Sequence, residues 1–217
     1  MKLIDNYKSL EKTDRVMLFL IITGLGNLFI SVVKMIFALT LPSLWFFLNS
    51  IFTGVLCLSR FFSLRSYGKL RNNNDEYKRK KMGQRTYLSN GIILVILGLV
   101  YFFVNVYIYY KGTNTTMHEY LTYLVALIAF WSIGSSIYGM IKYNKNNNPI
   151  IKAVKMTSFA NALTSIMLTQ IVLLDTYATD VNYNSNLMNG ITGIVVSIII
   201  MLIGLYMIIS INKVKDN

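Results

Sequence analysis

The residues of this chain that can do chemistry are amides, hydroxyls and one lysine, and they recur at helical spacing within apolar segments. Asn27, Ser31 and Lys34 stand four and then three residues apart, which places them on one face of a helix. Asn49 and Thr53, in the next apolar segment, repeat the interval of four. Side chains of this kind can hydrogen-bond a polar solute or an anion, or they can bond one another between helices.

A third polar set lies much later in the chain. Thr157, Asn161 and Ser165 again stand four residues apart, so they share a helix face. Polar groups are costly against lipid, so we expect all three sets to face the interior of a helical bundle, where they can line a pathway.

Lys34 and Asn49 are expected to meet. Lys34 lies six residues before the end of its segment, about 9 Å deep, and Asn49 lies about 8 Å into the next one at 1.5 Å per residue. The expected role of Lys34 is structural, either a bond to Asn49 or snorkelling to the outer surface. A contact to a solute or an anion is the alternative. Arg60 is expected to be a snorkelling anchor near the cytoplasmic end of its helix.

The chain lacks the groups that most catalytic and metal sites need. No Asp or Glu lies inside an apolar segment, and His118 and Cys57 are the only residues of their types. A proton- or metal-coupled carrier normally has a buried carboxylate or imidazole. We therefore expect no enzyme activity, no metal site and no cofactor.

The elements that must position these residues are six apolar segments. Mean hydropathy is +0.51, and 54% of the residues are hydrophobic. A helix needs about 20 apolar residues to cross about 30 Å of hydrocarbon. The sequence therefore predicts an all-α, multi-pass integral membrane protein, in which residues 1–217 form one domain of six transmembrane helices. The predicted spans are 16–40, 44–64, 87–110, 119–140, 149–174 and 187–211.

Basic residues sort to one side of this arrangement. Of the 21 Lys and Arg residues, only Lys111 falls in an outer connection, and only Lys34 and Arg60 fall well inside a span. The positive-inside rule then predicts a plasma-membrane protein with both termini in the cytoplasm. The net charge of +12 favours anionic lipids at the cytoplasmic face, and we expect no nucleic-acid partner.

Two further patterns concern packing. Six tyrosines near the outer ends of spans three and four predict an interfacial aromatic belt, namely Tyr101, Tyr107, Tyr109, Tyr110, Tyr120 and Tyr123. Small residues four apart, such as Ser132 with Ser136 and Gly193 with Ser197, indicate close helix contacts. Whether those contacts lie within one chain or in a homodimer stays open.

The spacing of Asn27, Lys34, Ser43 and Asn49 resembles the first two spans of the transmembrane domain of cation diffusion facilitators, and Arg85 resembles the arginine that often precedes their third span. The resemblance implies a facilitator-like bundle and dimerisation. The metal-ligand positions of that family fall here on Phe52 and Leu56 in span two. In span five they fall on Thr157 and Asn161, or on Ser158 and Ala162. None of these is Asp, Glu or His, so we expect no zinc transport.

Two classes of function follow. The first is transport of a small solute or ion without the zinc site of the facilitators, and the polar helix faces favour it. The second is a non-transporting membrane partner of another protein, such as an immunity protein that shields its host membrane from a toxin. The missing carboxylates and the missing soluble domain favour the second class.

Overall fold

The computed structural model describes residues 12–40, 44–71, 76–112, 119–142, 148–177 and 185–211, and these are almost wholly α-helical. The helices are α1 Lys12–Thr40, α2 Leu44–Arg71, α3 Glu76–Lys111, α4 Glu119–Lys142, α5 Pro149–Tyr177 and α6 Ser185–Ile209. The predicted all-α class is confirmed over this part of the chain. Ser43 of the facilitator-like spacing lies outside the described residues.

Within the described ranges, five helices are long and apolar enough to cross a membrane. Their apolar stretches are Ile21–Thr40, Phe46–Lys69, Lys80–Lys111, Pro149–Leu174 and Asn186–Ile209. In α4 the described apolar stretch, Thr122–Tyr138, is shorter than the about 20 residues that a span needs. The described residues therefore form a helical structure with five candidate membrane spans, and the sixth stays a prediction.

Two helices continue well past the predicted spans. The second span was expected to end at residue 64, but α2 runs to Arg71; the third was expected to begin at residue 87, but α3 begins at Glu76. The added segments are rich in lysine and arginine, which are good helix formers. Hydropathy marks where the hydrocarbon ends, whereas the helix itself ends only where its backbone is capped.

Caps explain two helix ends. Asn148 precedes α5, and its Oδ1 accepts a hydrogen bond of 3.0 Å from the backbone amide of Ile150, while Pro149 occupies the first helical position. At the C-terminal end of α3, Gly112 has a φ of 80°, and its backbone amide donates to the Ile108 carbonyl at 2.7 Å. Glycine adopts this left-handed conformation without steric cost, so α3 stops there.

The most extensive helix contact joins α3 and α6, and glycines allow it. A Cβ atom on Gly204 would lie 2.7 Å from the Gly91 carbonyl oxygen, and one on Gly98 would lie 3.0 Å from the Met201 amide nitrogen. The two backbones are therefore too close for any larger residue at these positions. Gly193 and Ser197 also face α3, since both contact Asn105. The small residues of span six thus make a contact within the chain.

Helix α5 is the most buried helix, and the others turn apolar side chains outward. It contacts α2, α3, α4 and α6, and its alanines and Met167, Leu168 and Ile171 belong to the core. Elsewhere large apolar residues stand on the surface, including Phe29, Leu127 and Trp131. Polar groups inside and apolar groups outside suit a bundle surrounded by lipid.

Candidate functional site

Lys34 lies inside the bundle and joins three helices. Its Nζ donates to Asn49 Oδ1 at 2.7 Å and to Thr53 Oγ1 at 3.4 Å, and Asn49 Nδ2 donates to the Tyr101 hydroxyl at 3.0 Å. Lys34 is only 6% exposed, and the other three side chains are buried. The expected contact between Lys34 and Asn49 is confirmed. The alternative of snorkelling outward is wrong, because a nearby amide and hydroxyl satisfy the ammonium inside the bundle.

Tyr101 corrects the predicted aromatic belt. It is buried, its hydroxyl accepts the Asn49 bond, and its ring lies 5.0 Å from the ring of Phe52. It sits deeper than the others because it lies ten residues before the end of α3 at Lys111, about 15 Å along the helix. The other five tyrosines, including Tyr107 and Tyr120, are exposed as a belt requires.

The polar face of α1 is joined to α2 below Lys34. Ser31 Oγ donates to the Ser50 carbonyl at 3.1 Å, and Ser50 Oγ donates to the Ser31 carbonyl at 2.9 Å. Gly54 leaves room for this pair, since a Cβ there would lie 3.3 Å from Ser31 Oγ. Asn27 is buried on the same face. Of the predicted α1 and α2 residues, the structure thus brings together Lys34, Asn49 and Thr53.

A second polar cluster, which the sequence analysis missed, lies nearer the other end of α2 and α3. Ser59 Oγ donates to Asn90 Oδ1, while Asn90 Nδ2 donates to Ser63 Oγ at 2.9 Å and to the Thr86 carbonyl at 2.8 Å. We call Ser59, Ser63 and Asn90 the inner cluster. The four-residue interval between the two serines was the available signal. Asn90 belongs to a span that otherwise has few polar residues, so nothing in the sequence predicts its pairing with Ser59 and Ser63.

Arg60 is buried, and the expectation of a snorkelling anchor is wrong. It is 2% exposed; one guanidinium nitrogen, Nη2, donates to the Thr157 carbonyl at 3.3 Å, and Nε has no hydrogen-bond partner among the described residues. The physical reason is the length of α2. Arg60 lies nine residues before the end of the apolar stretch at Lys69, about 14 Å along the helix, so its side chain cannot easily reach the boundary.

The three candidates on α5 do not join the Lys34 cluster. Thr157 Oγ1 donates to the Val154 carbonyl at 2.9 Å, and Ser165 Oγ donates to the Asn161 carbonyl at 2.9 Å. Asn161 Nδ2 instead donates to Ser132 Oγ on α4 at 3.0 Å. A serine or threonine in a helix can bond its own preceding turn, and the Thr157 and Ser165 hydroxyls do so instead of bonding another helix.

A small cavity nevertheless brings α5 near Lys34. About 10 Å³ of space lies between α1, α4 and α5, and both Lys34 and Ser165 line it. This is room for about one water molecule. We call Thr157, Asn161 and Ser165 the α5 polar stripe. Two of the buried basic residues lie near its ends: Lys34 lines the cavity with Ser165, and Arg60 bonds to the Thr157 carbonyl.

The donor set of this interior is poor in metal ligands. Within the described ranges, no three His, Cys, Asp or Glu residues come together. Phe52 and Leu56, at the positions where the facilitators carry ligands, are buried and apolar. Amides and hydroxyls can hydrogen-bond solutes and water, but alone they hold a dehydrated zinc ion poorly.

The chain matches no model of a protein family and no curated protein. Its functional interpretation therefore rests on the geometry of Lys34, Arg60 and the polar groups around them.

Proposed function

We propose that the protein is a six-span plasma-membrane protein, with both termini in the cytoplasm, that carries a small anion or polar solute through its helical bundle. Two observations support the sixth span and the orientation. Helix α4 has 24 residues, about 36 Å at 1.5 Å per residue, and it packs along α5. The loops assigned to the cytoplasm contain nearly all of the basic residues outside the spans.

The observation that carries the transport proposal is the environment of Arg60. A guanidinium has five N–H donors, yet the described contacts of Arg60 are one bond to the Thr157 carbonyl and an Nε without a partner. No acidic side chain lies among the described side chains of the interior. A buried charge without a counter-charge costs several kcal/mol, and an anion beside Arg60 would offset that cost.

The α5 polar stripe supports a path that continues from Arg60. Thr157 and Ser165 lie eight residues apart, about 12 Å along the helix, and Asn161 between them has a buried Oδ1 without a partner among the described residues. Lys34 lies beyond Ser165, across the small cavity. A buried arginine followed by neutral polar groups favours anions and neutral solutes over cations.

The test is flux in liposomes. The purified protein is reconstituted, and tracer uptake is measured for chloride, nitrate, phosphate and acetate, with rubidium as the cation control. We expect anion uptake above that of empty liposomes and none for rubidium. When equal amounts of folded protein are compared, Arg60→Gln should lower anion uptake at least tenfold. Arg65 is an exposed arginine on the same helix, so Arg65→Gln should leave anion uptake unchanged. No uptake by folded wild-type protein, or equal uptake by both variants, would overturn the proposal.

The second candidate is the non-transporting partner protein, and one observation favours it. Polar groups of the interior bond one another across helices, as in the pairs of Asn105 with Ser197 and Gln170 with Thr192, so they hold the bundle together without a solute. If the folded protein gives no flux, expression in cells exposed to a pore-forming toxin tests this class directly. Protection of those cells would establish it.

In this proposal, the resemblance to cation diffusion facilitators supports only the arrangement of the helices. The spacing that includes Lys34 and Asn49 supports a facilitator-like bundle, whereas the apolar Phe52 and Leu56 support a solute other than zinc. A homodimer remains part of the same proposal, and chemical crosslinking in native membranes tests it.

A further inference from the structure

A crevice between α2 and α3 has a composition unlike that of the rest of the bundle. Its volume is about 620 Å³, within the range of about 300–1,000 Å³ typical of small-molecule sites. Lys78, Lys81 and Arg85 line it, and no acidic residue is among the described residues that line it. We call it the α2–α3 crevice. Its charge favours an anionic occupant.

The floor of the crevice is the inner cluster. Ser59, Ser63 and Asn90 all line the crevice and are buried, and their mutual hydrogen bonds hold them in place. The crevice thus has hydrogen-bonded polar groups at its base and exposed cationic side chains above them. This arrangement suits a ligand with a compact charged group that accepts hydrogen bonds, as phosphate oxygens do.

The crevice opens away from the bundle interior. On one side, Ile150, Ile151 and Val154 of α5 pack with residues of α2 and α3, including Met82, and close the gap between those helices. The described residues that line the crevice all belong to α2 and α3, and Phe62 on its wall is 61% exposed. The open side therefore faces the surface that apolar residues mark as lipid-facing. The crevice is separate from the proposed path along α5.

The depth of the crevice matches the headgroup region of a bilayer. The apolar stretch of α3 begins at Lys80, so Lys78 and Lys81 lie at its boundary, and Arg85 lies five residues inside, about 8 Å. Basic pockets between transmembrane helices on the cytoplasmic side bind anionic lipid headgroups. The apolar wall beside Phe62 would contact the acyl chains of a lipid. A soluble phosphate has no acyl chains and could not make this contact.

We propose that the α2–α3 crevice binds the phosphate of an anionic phospholipid from the leaflet in which it opens. The inference goes beyond transport, because the crevice does not open into the proposed path, and it stands whether or not the protein carries a solute. Lys81 and Arg85 pair with the phosphate, and the inner cluster supplies polar contacts below them.

The test uses the full-length protein in detergent, titrated with phosphatidylglycerol or with phosphatidylcholine of the same acyl chains, with binding measured by native mass spectrometry. One double variant, Lys81→Gln with Arg85→Gln, removes two crevice charges. Its matched control, Arg65→Gln with Lys80→Gln, removes two exposed charges that do not line the crevice. A basic residue near an anionic surface contributes about a fivefold gain in binding, so the crevice variant, which lacks two, should bind phosphatidylglycerol about 25-fold more weakly. The control should lose less than about threefold.

A second variant keeps the test decisive if the double variant folds poorly. Ser89 is an exposed residue of the crevice, so Ser89→Trp should fill it and weaken phosphatidylglycerol binding without any change of charge. Leu99→Trp, on an exposed face of the same helix, is its control. Equal losses in the crevice variants and their controls would show nonspecific surface attraction and overturn the proposal. Binding of soluble glycerol phosphate as tight as that of phosphatidylglycerol would overturn the assignment to a lipid.

Discussion

Replacement of Lys34 by methionine should weaken the packing of α1 on α2. Methionine has nearly the same length but no ammonium, so Asn49 Oδ1 and Thr53 Oγ1 each lose a donor. Interhelical polar bonds in membrane proteins contribute about 0.6 kcal/mol on average and up to about 1.7. Two such bonds amount to about 1–3 kcal/mol. The loss is limited because Asn49 Nδ2 keeps its bond to the Tyr101 hydroxyl.

Thermal unfolding in detergent measures this loss. For a chain of this size, 1 kcal/mol corresponds to about 2–4 °C in Tm, so Lys34→Met should lower Tm by about 2–12 °C. The chain offers its own reporter, since Cys57 is its only cysteine and is buried in α2. A thiol-reactive dye will therefore report the opening of the α1–α2 region. Lys34→Arg should lower Tm less than Lys34→Met does, because arginine also donates to an amide.

The comparison of stability with activity decides the role of Lys34. If its role is structural, as we expect, any measured activity of Lys34→Met should fall only in proportion to the amount of folded protein. The double variant Lys34→Met with Asn49→Leu should then destabilise the protein by less than the sum of the two single variants, since both single variants remove the same Lys34–Asn49 bond. Normal stability together with complete loss of activity would refute this reasoning and identify Lys34 as a solute-binding residue.

Three other predictions follow from topology, packing and ligand chemistry. Reporter fusions after Arg71 and Asn146 should be cytoplasmic and those after Asn114 and Asp180 external, because of the charge bias; an external signal at Arg71 would overturn the whole topology. Gly204→Ala should destabilise by about 1–3 kcal/mol because the added Cβ meets α3, whereas Gly134→Ala, with no atom within 4 Å, should be neutral or stabilising in a thermal assay. Calorimetry with zinc and manganese should detect no stoichiometric micromolar site; such a site, lost on changing Asn161 or Thr157, would contradict our interpretation of the donor set.

Sequence spacing predicted contacts between neighbouring helices better than contacts between distant ones. The bond between Lys34 and Asn49 was predictable because a short connection fixes the relative depth of two adjacent helices. The burial of Arg60 and the partner of Asn161 were not, because they depend on how α5 is rotated against α2 and α4. Rotation of one helix against a distant one is set by packing over the whole interface, and no spacing within a single segment encodes it.

In lipid, apolar side chains favour a neighbouring helix only slightly over the bilayer, so polar groups and close backbone contacts must set the rotation of each helix. Helix α2 uses polar groups at three levels: Asn49 bonds to α1 and α3, Arg60 bonds to α5, and Ser59 bonds to α3. Helix α6 uses Gly204 and the other small residues instead. A rotation of α2 would therefore break the Lys34 bond, the Arg60 contact and the floor of the α2–α3 crevice together, which makes α2 the element whose movement would couple the two proposed sites.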